Sequence, residues 1–288
     1  MKLVTYDAQG RARIGALVKG GVVDLGSVAA DMLSLIERGE AGLDEARAAV
    51  EAAHDVLPMN SVRLLAPIPR PRKNIVCLGM NYAAHAYESA RAKGLPEKLP
   101  EHPVFFTKSP TTVIGPGAEI PLDPAITTQL DWEVELAFVF GRTGKNIASE
   151  DALGYIFGYT IINDISARDL QNRHQQFFKG KSLDGTCPMG PCIVTADELP
   201  DAGDLALSLR LNGKTMQDSR TRDLVFDIPT IIAVLSRGQT VEAGDVVSTG
   251  TPSGVGMGWN PQTWLKPGDV LEAEIERIGV LRNTVAAA

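Results

Sequence analysis

The hydrophobic positions of this chain change period several times, and each change marks an element. Residues 1–28 alternate apolar and polar side chains and are broken by Gly10, Gly15, Gly20, Gly21 and Gly26. That is the pattern of a small meander of short strands. Residues 31–39 switch to helical spacing, with Asp31 placed to cap the first turn and Gly39 to stop the last. Residues 44–54, rich in Ala and Glu, predict a second helix. Pro67, Pro69 and Pro71 then occupy alternate positions. Each fixes φ and removes a backbone donor, so the run fits neither a regular helix nor a central strand. A boundary is expected between 60 and 72, giving a small N-terminal α/β domain, 1–66, and a larger domain, 72–288.

Past the boundary, residues 74–79 form an apolar run that reads as a buried strand, followed by a helical segment over 83–90. Further strands are expected at 103–108, 112–114, 131–138 and 159–165. Ser149 is placed to cap a short helix, and Ser166 with Asp169 has capping-box-like spacing for another. Residues 205–211 alternate and run into Asn212-Gly213, a hairpin signal. Asp227-Ile228-Pro229 opens a helix that ends near Arg237-Gly238. Two similar turn-strand units, 242–247 and 266–271, flank a glycine-rich loop at 250–256. Many short strands and few helices predict an α+β, β-rich fold with a closed or folded-over sheet.

Composition narrows the partners. With 288 residues, 44% of them hydrophobic, the chain can bury one large core or a core plus a small domain. A net charge of −7 argues against nucleic acid or an anionic membrane surface as partner. No apolar run reaches transmembrane length and no signal peptide is read at the start. Cys77, Cys187 and Cys192 form no C-x-x-C pair and are expected as reduced, mostly buried thiols in a cytoplasmic protein.

The candidate chemistry is acidic. In the 131–138 strand, Glu133 and Glu135 share one face while Trp132, Val134 and Leu136 share the other. Their Cα atoms are roughly 6–7 Å apart, so both carboxylates can converge on one cation. A solvated strand face satisfies the same pattern. Asp164 ends a second apolar strand, where it either caps the next helix or joins an all-carboxylate set suited to Mg²⁺ or Mn²⁺. His85 and Glu88 are neighbours on one helix face, either a general-base dyad or a surface ion pair; His54, His102 and His174 have no such partner. Gly180-Lys181-Ser182 invites a phosphate-loop reading, but Gln175 stands where that motif needs glycine. A lysine here would instead offset the carboxylates. The 250–256 loop offers backbone N–H groups and the Thr251 hydroxyl to a carboxylate, or is a plain turn. Arg168 is either a bidentate carboxylate clamp or a solvated helix residue.

The order of these motifs resembles the fumarylacetoacetate hydrolase superfamily over most of residues 72–285. The resemblance rests on residues 79–88, then Glu133-Val134-Glu135, then residues 164–169, then Lys181-Ser182, then the 250–256 loop. It implies a mixed β-sandwich roll preceded by a small N-terminal domain, and a homodimer. It implies Glu133, Glu135 and Asp164 as ligands of Mg²⁺ or Mn²⁺, with His85, Glu88 and Lys181 as catalytic groups. Arg168, Gln171 and Thr251 fall at substrate-contacting positions. The expected substrate is a small 2-oxo acid. The expected reaction is hydrolysis of a C–C bond in a 2,4-dioxo acid of acylpyruvate or fumarylpyruvate type. The alternatives are an oxaloacetate-type decarboxylase, an isomerase of 2-hydroxyhepta-2,4-diene-1,7-dioate, and more remotely a non-catalytic metal-dependent binding protein. The segment 86–102 is expected to read the far end of the substrate and to order on binding.

Overall fold

One strand, Val134–Phe140, has a core on each of its faces. In the computed structural model, which describes residues 1–288, it lies inside a 12-stranded sheet. From edge to edge the sheet runs Leu57–Pro58, Gly21–Asp24, Arg11–Val18, Lys2–Ala8, Cys187–Thr195, Ile156–Asn163, Val134–Phe140, Val246–Ser248, Ile75–Gly79 and Val104–Lys108. Arg63–Leu65 and Val113–Ile114 pair beside this path. A five-stranded sheet runs Lys214–Arg220, Ala206–Leu211, Val270–Ile275, Gly279–Ala287 and Glu119–Leu122. Parallel and antiparallel pairs occur in both, so the fold is α+β, strand-rich and mixed.

Every residue of Val134–Phe140 is buried, and it is hydrogen-bonded on both edges. This excludes a solvated face for its glutamate. Val134, Leu136, Phe138 and Phe140 point into a core of 43 buried residues shared with Leu207, Leu209, Leu271 and Ala273 of the five-stranded sheet. Ala137 and Val139 point the other way, into a core of 22 that includes Leu35, Ile36 and Leu43. Glu135, and Glu133 just before the strand, have the parity of Ala137. The carboxylates therefore lie on the face away from the sandwich.

The N-terminal residues join the same architecture. Leu3 pairs with Ile193 and Lys2 with Val194, so the meander extends the large sheet. The proline run is packed against it: Thr5 Oγ1 donates to the Pro67 carbonyl at 2.6 Å, and Ile68 is fully buried.

Local signals are mostly realised, with three corrections. Asp31 caps Met32–Glu37 by accepting from the Ser34 N–H at 2.7 Å. Gly39 does not end the helical region; at φ +57° it opens the next helix, Gly39–Glu51. Ser149 makes no cap, because the segment Ser149–Tyr155 is a 3₁₀ helix preceded by Ala148. Ser166 does not cap either: its hydroxyl donates to the Asp164 carbonyl at 2.8 Å, while Asp169 accepts from Thr127 and Leu170. Asn212 and Gly213, at φ 51° and 79°, form the primed turn expected of that pair. Asp227 caps Ile228–Ser236 through the Thr230 N–H.

Candidate active site

Glu133, Glu135 and Asp164 each present a carboxylate oxygen, and these oxygens lie within 4.8 Å of one another. All three residues are buried. Strand pairing fixes the arrangement: Glu135 lies opposite Ile162, and the Asp164 N–H donates to the Glu133 carbonyl at 2.8 Å. Three carboxylates this close repel one another, and the consequences differ between them. Burial, then Asp164 and Glu133, push the Glu135 pKa well above the ordinary carboxylate value. Burial would raise Glu133 too, but Lys181, then Arg168 and His85, outweigh it and bring the value down to about 2.

Buried cations explain that difference. Lys181 Nζ lies 2.5 Å from Glu133 Oε2 and 2.7 Å from Asp164 Oδ2. Its ammonium also sits 5.1 Å from the centroid of the Phe106 ring, which packs edge-on against Phe177. Arg168 donates to Asp131 at 2.8 Å, to Glu133 at 2.6 Å and to the Gln171 carbonyl oxygen at 3.1 Å. Both pKa values rise against the lowering effect of burial, Lys181 through Asp164 and Glu133, Arg168 through Asp131 and Glu133. Arg168 is thus a brace for the carboxylates, and most of its fork is committed inside the protein.

Asp131 and Lys108 complete the charge network, and the sequence pattern did not single out either one. Asp131 accepts from the Gly256 and Met257 N–H groups as well as from Arg168. Lys108, fully buried, lies 2.7 Å from Asp164 Oδ1 and donates to the Ile165 carbonyl at 3.1 Å. Despite that proximity, Asp164 Oδ1 has no aligned hydrogen-bond donor. Glu135 is bonded through Oε2 alone, by Ser248 at 2.5 Å and the Gly250 N–H at 3.0 Å. Two carboxylates therefore keep an oxygen with lone pairs to spare. With three oxygen ligands and no His or Cys among them, the set fits a hard divalent cation.

The opposite wall is the helix Ala83–Ala92. His85 Nδ1 is 3.1 Å from Glu88 Oε2, and the pair is largely buried, which excludes a surface ion pair. Glu88 Oε1 accepts from the Gly254 N–H at 2.9 Å. The helix begins after Asn81, whose amide bridges the Thr249 carbonyl and both backbone groups of Phe226. The glycine loop thus grips carboxylates as its N–H groups suggested, but they are the protein's own: Glu135, Glu88 and Asp131. Thr251 is likewise used internally, donating to the Val134 carbonyl at 3.0 Å and accepting from Gln217.

One cavity joins these parts. Its lining includes His85, Glu133, Glu135, Gln171, Lys181 and Thr251. A larger surface groove of about 440 Å³ lies beside Glu37, Arg72, Arg142 and Glu242. It holds no comparable cluster, and its Arg72 is already paired with Glu37. A third groove, of about 880 Å³ beside Asp7, Arg13 and Asp24, is larger still. Size points away from the small cavity, chemistry points to it, and chemistry decides.

A strand-rich fold with a buried carboxylate triad, a buried lysine and a His–Glu pair gathered at one cavity has the makings of an enzyme site. The fumarylacetoacetate hydrolase C-terminal family model matches residues 74–286, and the chain belongs to that family. A Bacillus subtilis protein, oxaloacetate tautomerase YisK, is 41% identical over 304 residues, covering 99% of this chain and all of that one. The solved fumarylacetoacetate hydrolase of Exiguobacterium antarcticum is 42% identical, with a TM-score of 0.85 and both chains covered in full. Maleylpyruvate hydrolase from Sphingobium sp. SYK-6, solved with manganese(II) and pyruvate, is 28% identical at a TM-score of 0.81, again with both chains fully covered. The chain is an enzyme of this superfamily.

Proposed function

We propose that the protein interconverts the enol and keto forms of a small 2-oxo acid of the oxaloacetate type. The observation that carries this reading is the single cavity lined by Glu133, Glu135, Lys181 and His85, with Asp164 completing the carboxylate cluster and Glu88 holding His85 from behind the lining. The similarity to an oxaloacetate tautomerase along nearly the whole chain supports it. C–C hydrolysis, the reading that the sequence resemblance puts first, has less support than this alternative. Mg²⁺ or Mn²⁺ is the proposed ion, and a homodimer the proposed assembly, to be tested by gel filtration with light scattering.

A divalent ion held by Glu133, Glu135 and Asp164 would supply a Lewis acid that favours negative charge on the 2-oxygen of the substrate. The chain's own residues do the rest. His85 with its proton on Nδ1 donates to Glu88 and keeps the Nε2 lone pair for the cavity. From there Nε2 takes a proton from C3 of the keto acid and the imidazolium passes it to the 2-oxygen, giving the enol; in the reverse direction it takes the enol hydroxyl proton and delivers it to C3. Glu88, held by the Gly254 N–H, stabilises the imidazolium that forms between these steps. Lys181 adds a positive charge on the side where the oxygen becomes negative. The Gln171 amide NH₂ makes no hydrogen bond to the protein while its carbonyl oxygen is held by Arg168, so it is placed to donate to the substrate carboxylate.

The test is the decay of the enol absorbance of oxaloacetate with and without Mg²⁺. Wild type should accelerate it, and His85→Ala should lower kcat by about 100-fold or more. Rapid cleavage of acylpyruvate or fumarylpyruvate, with no acceleration of enol decay, would restore the hydrolase reading.

A further inference from the structure

The cavity lining contains a third cation besides Lys181 and Arg168, and it differs from both. Lys181 and Arg168 each pair with two carboxylates. Lys93 also lines the cavity, yet no carboxylate lies within salt-bridge distance of it. It is exposed to solvent at the mouth. Although the residue as a whole is exposed, partial loss of water around its ammonium where it borders the cavity, then repulsion from Arg168 and Lys181, lower its pKa from the ordinary lysine value.

Local structure holds this residue in place. His85, Ser89 and Lys93 are spaced by four and form one stripe of the Ala83–Ala92 helix and its C-cap, and all three line the cavity. Lys93 is the C-cap residue. Gly94 follows at φ +64°, its N–H donating to the Arg91 carbonyl, while the Leu95 N–H donates to the Ala90 carbonyl at 2.9 Å. These two bonds are those of a Schellman ending. The Cα atoms of His85 and Lys93 are about 12 Å apart along the axis. Helical side chains lean toward the helix N-terminus, so the lysine stem reaches back over Ser89 toward His85.

We propose that Lys93 receives the second carboxylate of the substrate and makes the site selective for 2-oxo dicarboxylic acids over 2-oxo monocarboxylic acids. This rests on the 2-oxo acid reading above. One end of the ligand lies at the triad and Gln171, and the reacting carbon lies beneath His85. A far carboxylate then meets the one lining cation that has no carboxylate of its own. Lys93 is a specificity residue in this arrangement, since it touches the substrate away from the reacting atoms.

The test compares oxaloacetate with 2-oxobutyrate, in which a methyl group replaces the far carboxylate. Affinities are measured by calorimetry on the Mg²⁺-loaded full chain, together with rates of enol decay. Lys93→Ala should weaken oxaloacetate binding about tenfold or more, the range of a lost charge-assisted hydrogen bond, and leave 2-oxobutyrate unchanged. Lys93→Glu should weaken oxaloacetate further, and Lys93→Arg should keep the preference. Equal losses for both ligands in Lys93→Ala, or no loss for either, would overturn the proposal. If wild type catalyses enol decay and Lys93→Ala leaves the binding ratio untouched, the Lys93 assignment fails while the tautomerase reading stands. If Lys93→Ala selectively loses oxaloacetate affinity but wild type does not catalyse enol decay, the reverse holds.

Discussion

Glu133, just before the strand Val134–Phe140, and Glu135 within it share one face two residues apart, yet their charges affect stability in opposite directions. The Glu135 pKa rises above its ordinary value of 4.5, through burial and its two carboxylate neighbours. Its penalty is absent below the unfolded value, grows as pH rises from about 4.5 toward the folded value, and is complete above it. Glu135→Gln should therefore raise the melting temperature of the metal-free protein at neutral pH, by about 2–4 °C per kcal/mol relieved. It should also abolish the stabilisation that Mg²⁺ gives wild type. Glu133 is the opposite case, lowered to about 2 against burial by Lys181 and Arg168. Its contribution is full above about 4.5 and is lost as pH falls through about 2. Glu133→Gln leaves two buried cations short of a partner and should cost about 3–5 kcal/mol. Thermal melts of both variants, with and without Mg²⁺ and across pH 4 to 8, check the contrast; shifts of the same sign in the metal-free protein would refute it. The triad was visible in the sequence because acids inside apolar runs stand out. Asp131 and Lys108 were less so, since nothing in a linear sequence tells which buried charge meets which.

The helix that carries His85 and the loop that carries Gly254 work as one element. Glu88 is pinned between them, accepting from Gly254 and facing His85. A Cβ at Gly258 would lie 2.2 Å from Glu88 Oε1 and 2.5 Å from its Cγ. The obstacle is the end of a flexible side chain, so Gly258→Ala should displace Glu88 rather than unfold the loop. kcat should fall toward that of Glu88→Ala, with Mg²⁺ affinity retained and the melting temperature nearly unchanged. A loss of metal affinity equal to the loss of kcat would place the damage in the triad instead. Gly254 is constrained differently: at φ +102°, its Cβ would meet the Met216 carbonyl at 2.0 Å. Backbone cannot step aside as a side chain can, so Gly254→Ala should destabilise the protein outright, by about 1 kcal/mol or more. Melting temperature checks this, and a wild-type value would show that the loop adapts. The loop's glycines marked it as special, but the sequence pointed its N–H groups toward a substrate. Only the fold reveals that Glu135, Glu88 and Asp131 already occupy them. The caps expected at Ser149 and Ser166 failed for local reasons: Ser166 is itself strand-paired opposite Asp131, and Ser149 lies inside a 3₁₀ segment whose cap position is Ala148.

At the scale of the molecule, the face that holds the triad is also the face covered by the N-terminal residues. Leu3, Ile14, Leu25, Leu35 and Ile36 belong to the same core as Cys77, Ala137, Val139 and Phe157. Ala137 lies two residues beyond Glu135 on the same side of the strand. The alternating pattern of 1–28 foretold strands, and the prolines foretold a break in regular structure. Neither could tell that Lys2–Ala8 would hydrogen-bond to Cys187–Thr195, because pairing across so long a separation leaves no local signature. We propose that residues 1–66 are a distinct unit in sequence but necessary to the fold of 72–288. Each large apolar side chain uncovered forfeits about 1.5–3 kcal/mol, and removing this segment uncovers several beneath the triad's strand. A fragment starting at residue 67 should therefore lose near-ultraviolet circular dichroism and bind Mg²⁺ at least tenfold more weakly. Adding the 1–66 piece in trans should recover part of both signals, because the missing strand edge and apolar face are restored together. A soluble 67–288 fragment with full metal affinity would show that the carboxylates are held by their own strand pairing alone, and that the N-terminal residues serve some purpose other than supporting the site.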